Sequence, residues 1–294
     1  MVRQNKIRRK LIQFTAMLVY NADVTNWFSG GISRSVIKNV CVPGLNCYSC
    51  PGAISSCPLG SIQNIIANGK FPFFVTGFLM LTGTLIGRMV CGFLCPAGLI
   101  QELLYKIPSK KIRKTQRSVK ITRKIALLKY LLLGVLCILL PLIFFLRDGL
   151  GSPFFCKSLC PAGTLGAGLP LMLMNETLRS ALGLLFSWKM SVAIVFVVWS
   201  VFMFRPFCRF FCPLGAVYSF FNKIAVFGIK RDDTKCTHCN ACTLGCQMDT
   251  LNVNDRECIR CNECIARCRF GALNIVALGQ NKIFQSEKGT RIHV

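Results

Sequence analysis

The sequence predicts an all-α membrane bundle of about four transmembrane helices, arranged as two pseudo-symmetric halves, followed by a small α+β module. Three observations carry this. Uncharged apolar runs approach membrane length, a cysteine–proline motif recurs at matching places beside them, and eight C-terminal cysteines share one repeated spacing. The expected division is a membrane domain at 1–228, a compact module at 229–275 and a polar C-terminal tail at 276–294.

The spans come first in the chain. Of the 294 residues, 53% are hydrophobic and 16% charged. Apolar runs lie at Phe71–Gly87, Tyr130–Leu146 and Met190–Phe204, with a weaker one at Leu11–Gly30 interrupted by Asn21, Asp23 and Asn26. Crossing a hydrocarbon core of ~30 Å takes about 20 residues. These runs are therefore expected to borrow flanking residues, with Arg88, Lys129, Lys189 and Arg205 snorkelling to the headgroups. The N-terminal apolar stretch has no A-x-A cleavage pattern, so the basic start is expected to be retained.

Positive charge sets the orientation. Arg3, Lys6, Arg8, Arg9 and Lys10 open the chain, and nine Lys and Arg residues fall between Lys106 and Lys124. The loop between the first two runs has only Arg34, Lys38 and Lys70. Cations mark the cytoplasmic side, which predicts a multi-pass protein of the cytoplasmic (inner) membrane with both termini inside. The net charge of +25 sits beside apolar spans with no base-stacking platform, so it points to the lipid bilayer rather than to nucleic acid.

Read together with its cysteines, the chain is duplicated. The first half has an outer loop ending Cys57-Pro-Leu-Gly, a span, then Cys91-x3-Cys95-Pro-Ala-Gly. The second has Cys156-x3-Cys160-Pro-Ala-Gly, a span, then Cys208-x3-Cys212-Pro-Leu-Gly. Arg88 and Arg205 each precede an inner pair by three positions. Two halves in the same direction imply a pseudo-twofold along the membrane normal.

Cysteines four apart are expected on one helical face, within reach of one metal cluster. The duplication then brings Cys91, Cys95, Cys208 and Cys212 together at the cytoplasmic side as the ligands of one cluster. Arg88 and Arg205 are either its charge-compensating neighbours or simple topological anchors. On the outer side Cys57, Cys156 and Cys160, with Cys50 or alternatively Cys47, form either a further cluster or a dithiol, disulfide or copper site. Cys137, alone in the third run, reads as a small buried hydrophobe.

The tail is the most specific element. Cys236, Cys239, Cys242 and Cys246, then Cys258, Cys261, Cys264 and Cys268, repeat Cys-x2-Cys-x2-Cys-x3-Cys. At this spacing three thiolates wrap one cubane and the fourth reaches across to the other. That predicts a bacterial 2[4Fe–4S] ferredoxin-like domain. Its sites are Cys236, Cys239, Cys242 and Cys268 for one [4Fe–4S] cluster, and Cys258, Cys261, Cys264 and Cys246 for the second. Only two histidines are present, His238 and His293, which excludes an embedded bis-histidine haem. There is no GxGxxG dinucleotide loop and no Ser/His/Asp arrangement for hydrolysis.

The paired tail motifs, CGFLCPAG at 91–98 and CRFFCPLGA at 208–216 resemble the NapH/NosR/CcoG-type membrane polyferredoxins over nearly the whole chain. The resemblance implies electron transfer between a cytoplasmic or quinol donor and a membrane or extracytoplasmic acceptor. The partners it implies are a redox protein or subunit, with a quinone as one candidate. It also implies a component of an oxidoreductase system rather than a self-contained enzyme. NosR-type members add a flavin domain and CcoG-type members a further domain, and neither is in this chain. The outer motifs NCYSCPGAISSCPLG and CKSLCPAG go beyond the NapH pattern, and Gln247 and Arg269 replace the proline usual after the fourth tail cysteine. Two other readings stay open: a copper- or thiol-handling membrane reductase using the outer cysteines, and a ferredoxin-type anchor subunit of a larger complex. Two [4Fe–4S] clusters in the tail, a third at the inner face and a fourth at the outer face are the full expected complement. Opposite bilayer faces would leave a gap of ~30 Å between the last two.

Overall fold

The computed structural model describes residues 2–33, 36–111, 116–180 and 183–277. The readings for Arg34, Arg113, Lys114 and the tail from 278 onward lie outside these residues. The described chain is helical apart from one two-stranded sheet near its end.

Among the described residues, two helices are long and apolar enough to cross a membrane, Ile121–Asp148 and Leu184–Phe202. The second begins six residues before the run read from the sequence, and at 19 residues it reaches ~28 Å, close to the hydrocarbon thickness. Phe73–Ile86 and Pro161–Met174 are apolar but shorter. The N-terminal helix Val2–Tyr20 starts well before the expected run at Leu11 and stops where the Asn21 amide turns back onto the Met17 carbonyl at 2.9 Å. The long helix carries a π-helical stretch, Leu133–Leu139, around Cys137, a local widening often found at functional sites.

The snorkelling expectation fails at three positions. Arg88, Lys129 and Arg205 are each 0% exposed. A buried charge needs a partner, and the fold supplies carboxylates: Glu257 to Arg88 (2.6 Å) and Lys129 (2.5 Å), Glu102 to Arg205 (2.6 Å). Both carboxylates come from segments distant in the sequence, so span flanks alone could not reveal the pairing.

The duplication is written into the backbone. Cys57, Cys95, Cys160 and Cys212 each cap the start of a helix in an extended conformation, with ψ of 128°, 116°, 107° and 109°, and proline follows at the first helical turn. Proline excludes the helical conformation from the residue before it and suits the first turn itself. The first cysteine of each pair lies instead in a five-residue helix: Met89–Phe93, Phe154–Ser158 or Pro206–Phe210. The pairs therefore straddle a helix–turn–helix, not one helical face as expected from their spacing.

In the C-terminal module, Gly228–Arg231 pairs antiparallel with Leu273–Val276, Gly228 opposite Val276. Between these strands the two cysteine loops share a backbone signature. His238 and Asn240 in the first, Arg260 and Asn262 in the second, are left-handed at matching positions around Cys239 and Cys261. Non-glycine residues adopt this conformation at a cost that the surrounding structure must offset. Its repetition in both loops marks one loop design used twice, each followed by a short helix, Ala241–Leu244 and Glu263–Arg267.

A candidate chain of iron–sulfur sites

Cys91, Cys95, Cys208 and Cys212 are all buried in one core cluster. The charge of Cys208 acts on Cys212, and both feel Cys91 and Cys95, so the structure brings the two inner pairs together. Among the described residues, no three His, Cys, Asp or Glu side chains converge tightly enough for a single metal ion. Arg88 and Arg205 both lie close enough for their charges to act on Cys91. Arg205 donates to the Cys91 carbonyl at 2.5 Å. Nε of each guanidinium is buried and donates to no atom of the protein. Buried donors are nearly always satisfied, and an anionic cluster among these thiols would accept from them. The residues present fit the group.

The tail seats directly on this site. The carbonyl of Ile259, between Cys258 and Cys261, lies 2.5 Å from where a Cβ on Gly92 would stand, so only glycine admits the loop beside Cys91. Arg88 reaches Glu257 and the Arg256 carbonyl, and Asn222 donates to the carbonyls of Asp255 (2.6 Å) and Cys258 (2.9 Å). Arg260 donates to the carbonyls of Phe227, Asn222 and Ile86. Burial alone would raise the Glu257 carboxyl, but Arg88 and Lys129 hold it at about 2. Arg9 makes a two-pronged contact with Glu102 at 2.8 Å on each arm and approaches Glu263 of the tail at 3.7 Å. Guanidinium–carboxylate forks of this kind fix orientation as well as charge.

Within the tail, Cys246 acts by charge on Cys258 and Cys264, so it faces the second loop as a crossing ligand would. Burial pushes the thiols of Cys261 and Cys264 up to about 12. Cys242 neighbours Cys236 and Cys239, and Arg269, next to Cys268, acts on Cys239. Cys239 is exposed; the backbone N–H of Ala241 holds its thiol below the usual range.

At the outer set, Cys57 interacts by charge with Cys160, and Cys156 with Cys160, Cys57 and Cys47. Cys47 Sγ lies 3.7 Å from the Cβ position of Gly163, against the motif that follows Cys160. Cys50 interacts with Cys47 and Lys38. A cavity of about 810 Å³ is bounded by Cys41, Cys47, Cys57, Cys156 and Cys160 together with Lys38 and Lys189. Fully buried Cys137 stands beside Cys57, Cys160 and Cys156. Among the described residues, no two cysteines are joined by a disulfide.

The ~30 Å gap between the sets is absent. Both belong to one continuous core, and the rings of Phe155 and Phe207, neighbours of Cys156 and Cys208, sit 6.4 Å apart. Tyr218 is near Cys91, Cys95 and Cys57 at once and donates to the Pro43 carbonyl at 2.9 Å. The segments carrying Cys57 and Cys156 pack toward Cys91 and Cys208, so the two sets face each other through a layer of aromatic side chains. Beside them lies a second, mainly apolar cavity of about 410 Å³, reaching from Cys47 and Cys50 to Pro96, Gln101 and Phe207.

A family profile described as 4Fe-4S binding domain matches residues 68–115, 130–171 and 184–232. Each matched segment contains one Cys-x3-Cys-Pro motif. An uncharacterised protein of Methanocaldococcus jannaschii, MJ0750, is 30% identical over 197 residues, covering 65% of this chain and 73% of the relative. The regulatory protein NosR of Pseudomonas aeruginosa is 28% identical over 187 residues, 61% of this chain and 23% of NosR. NosR of Stutzerimonas stutzeri is 25% identical over 192 residues, 61% of this chain and 23% of its own length. No solved structure matches. With three cysteine–proline segments carrying the family's signature, the chain belongs to the NosR-type iron–sulfur membrane proteins that bind 4Fe–4S clusters.

Proposed function

We propose that this protein conducts electrons between the cytoplasmic side and a membrane or extracytoplasmic acceptor through a line of four [4Fe–4S] clusters. Cubanes, when bound, supply one-electron carriers of tunable potential. Cys236, Cys239, Cys242 and Cys268 hold the first and Cys258, Cys261, Cys264 and Cys246 the second, in a ferredoxin-type module. Cys91, Cys95, Cys208 and Cys212 hold the third. Cys57, Cys156, Cys160 and Cys47 hold the fourth, Cys47 replacing Cys50 because it lines the outer cavity with the other three and its Sγ lies 3.7 Å from the Cβ position of Gly163. The observation that carries this reading is continuity: the Cys258–Cys261 loop rests on Cys91–Gly92, and the inner and outer thiols share one core. Arg88, Arg205 and Glu102 hold the inner site rigid and charge-compensated. The bundle crosses the membrane four times with both termini inside. Reporter fusions at residue 45 and at the C-terminus should fall on opposite sides.

The decisive experiment is an iron and acid-labile sulfide count on anaerobically purified protein. About sixteen irons is the expected result, four to each cubane. About twelve would leave the outer thiols to copper or dithiol chemistry, and about eight would reduce the chain to a ferredoxin-bearing anchor. One observation favours a quinol as electron donor. In the apolar cavity, Gln101 Oε1 and Asn21 Oδ1 are buried acceptors without donors. A lipid-soluble hydroquinone could give them its hydroxyls, passing two electrons singly to the clusters and two protons to water. Trp27 lines this cavity, so quinone binding should quench its fluorescence.

A further inference from the structure

Two buried glutamines do the same thing at the two membrane thiol sets. Gln63 follows Cys57 by six positions and Gln101 follows Cys95 by six. Gln101 Nε2 lies 3.2 Å from the Ala97 carbonyl and 3.2 Å from Cys208 Sγ. Gln63 Nε2 lies 3.2 Å from the Leu59 carbonyl and 3.3 Å from Cys156 Sγ. A carbonyl accepts only from the amide nitrogen, so in both cases the helix carbonyl four residues back fixes which end faces the sulfur. The Phe155 N–H, donating to Gln63 Oε1 at 3.0 Å, fixes it a second time. Cys156 and Cys208 are equivalent, each the first cysteine of a second-half pair. The amide of one half therefore crosses the pseudo-twofold to the same thiol of the other half, twice. The matching second-half positions, Gly166 and Tyr218, carry no amide side chain.

We infer that Gln63 and Gln101 are positioning residues that set the reduction potentials of the outer and inner membrane clusters, an inference that rests on the cluster assignment above. Adding an electron raises the negative charge on cluster and thiolate sulfurs. An N–H directed at one of them favours the reduced form and raises the potential. Both donors are out of water, where an electrostatic contact of this kind is strongest. Each acts on a single second-half thiolate, so each also biases the added electron toward the irons on that side. The chain thereby carries a separate adjustment for each membrane site, built from one repeated structural element.

The test is a redox titration, followed by electron paramagnetic resonance, of the full-length protein and of Gln101→Met and Gln63→Met, which keep length and lose the donor. Gln101→Met should lower the midpoint of one membrane cluster and Gln63→Met that of the other. The expected shift is about tenfold in the reduction equilibrium, ~59 mV for one electron, with wild-type iron. Should a methionine variant lose iron, Gln→Glu at the same position retains the shape and should shift its cluster the same way. Wild-type iron with unmoved potentials, or one variant shifting every cluster alike, overturns the inference while leaving the cluster reading intact. A wild-type count near twelve irons overturns the Gln63 half together with the outer cluster.

Discussion

Around Cys91, Cys95, Cys208 and Cys212, two guanidiniums, a carboxylate pair and the loop carrying Ile259 close in. Around Cys57, Cys156, Cys160 and Cys47 there is a cavity of about 810 Å³, lined by Lys38 and Lys189 and a fifth thiol, Cys41. Both sites descend from the same motif pair, with the same extended cysteine before the same proline and the same crossing glutamine. They differ in what the rest of the chain adds. Arginine gives the inner site a permanent, planar, directional charge, whereas lysine gives the outer one a flexible point charge. The inner site has the Ile259 loop of the C-terminal module packed directly against Gly92.

The largest test of this contrast removes a ligand. Cys95→Ser should lose one cluster's iron, about four atoms, with the tail clusters retained, and adding Cys212→Ser should remove almost nothing more, as for residues acting as a unit. Two equal losses would place the inner pairs in separate sites. The same count at the outer site separates the candidates: Cys47→Ser should lose about four irons and Cys50→Ser none.

Next in size is Glu102, the counter-charge of Arg205 and Arg9. Glu102→Gln strands the Arg205 guanidinium in the interior and leaves Arg9 only Glu263, which should cost about 3–5 kcal/mol, read as a lowered midpoint in denaturant unfolding. Burial opposes ionisation of Glu102, but Arg205 and Arg9 prevail and hold its carboxyl below the ordinary range. The sign follows. A depressed folded pKa contributes stability above the unfolded value of ~4.3 and loses it as pH falls through the folded value. Wild type and variant should therefore converge in acid, and a difference that persists there would remove the ion pair as its cause.

A smaller effect is expected where the C-terminal module packs on the bundle. Gly92→Ala puts a methyl against the Ile259 carbonyl and should cost about 1–3 kcal/mol. Its signature would be faster proteolysis between the bundle and the C-terminal module, with iron content unchanged. The corresponding change at Gly60, whose Cβ position has Cys156 Sγ at 3.8 Å as its nearest contact, should be tolerated. Equal sensitivity at both glycines would mean that the inner site is no more tightly closed than the outer.

Local grammar made much of this readable beforehand. Cysteine spacing, proline after cysteine and the repeated order of motifs are short-range features, and the extended Cys57, Cys95, Cys160 and Cys212 follow from the proline alone. What misled was inference across helix breaks. Cys91 and Cys95 look like one helical face until Leu94 ends the helix between them. Arg88, Lys129 and Arg205 look like snorkelling anchors until Glu257 and Glu102 are seen beside them. At the outer set, Cys50 is the one that precedes a proline, whereas Cys47 is the one whose sulfur lies near Gly163.

By itself, then, the sequence determined a helical, cysteine-duplicated chain and the residues able to bind clusters, because thiol spacing and proline geometry act within a few residues. Only the tertiary structure decided that Phe155 meets Phe207, that the tail loop rests on Gly92, and that each glutamine crosses to the opposite half. Those contacts join segments as many as 167 positions apart, Gly92 and Ile259 among them. They depend on burying charge beside counter-charge and filling one shared core, conditions that only the assembled fold can satisfy.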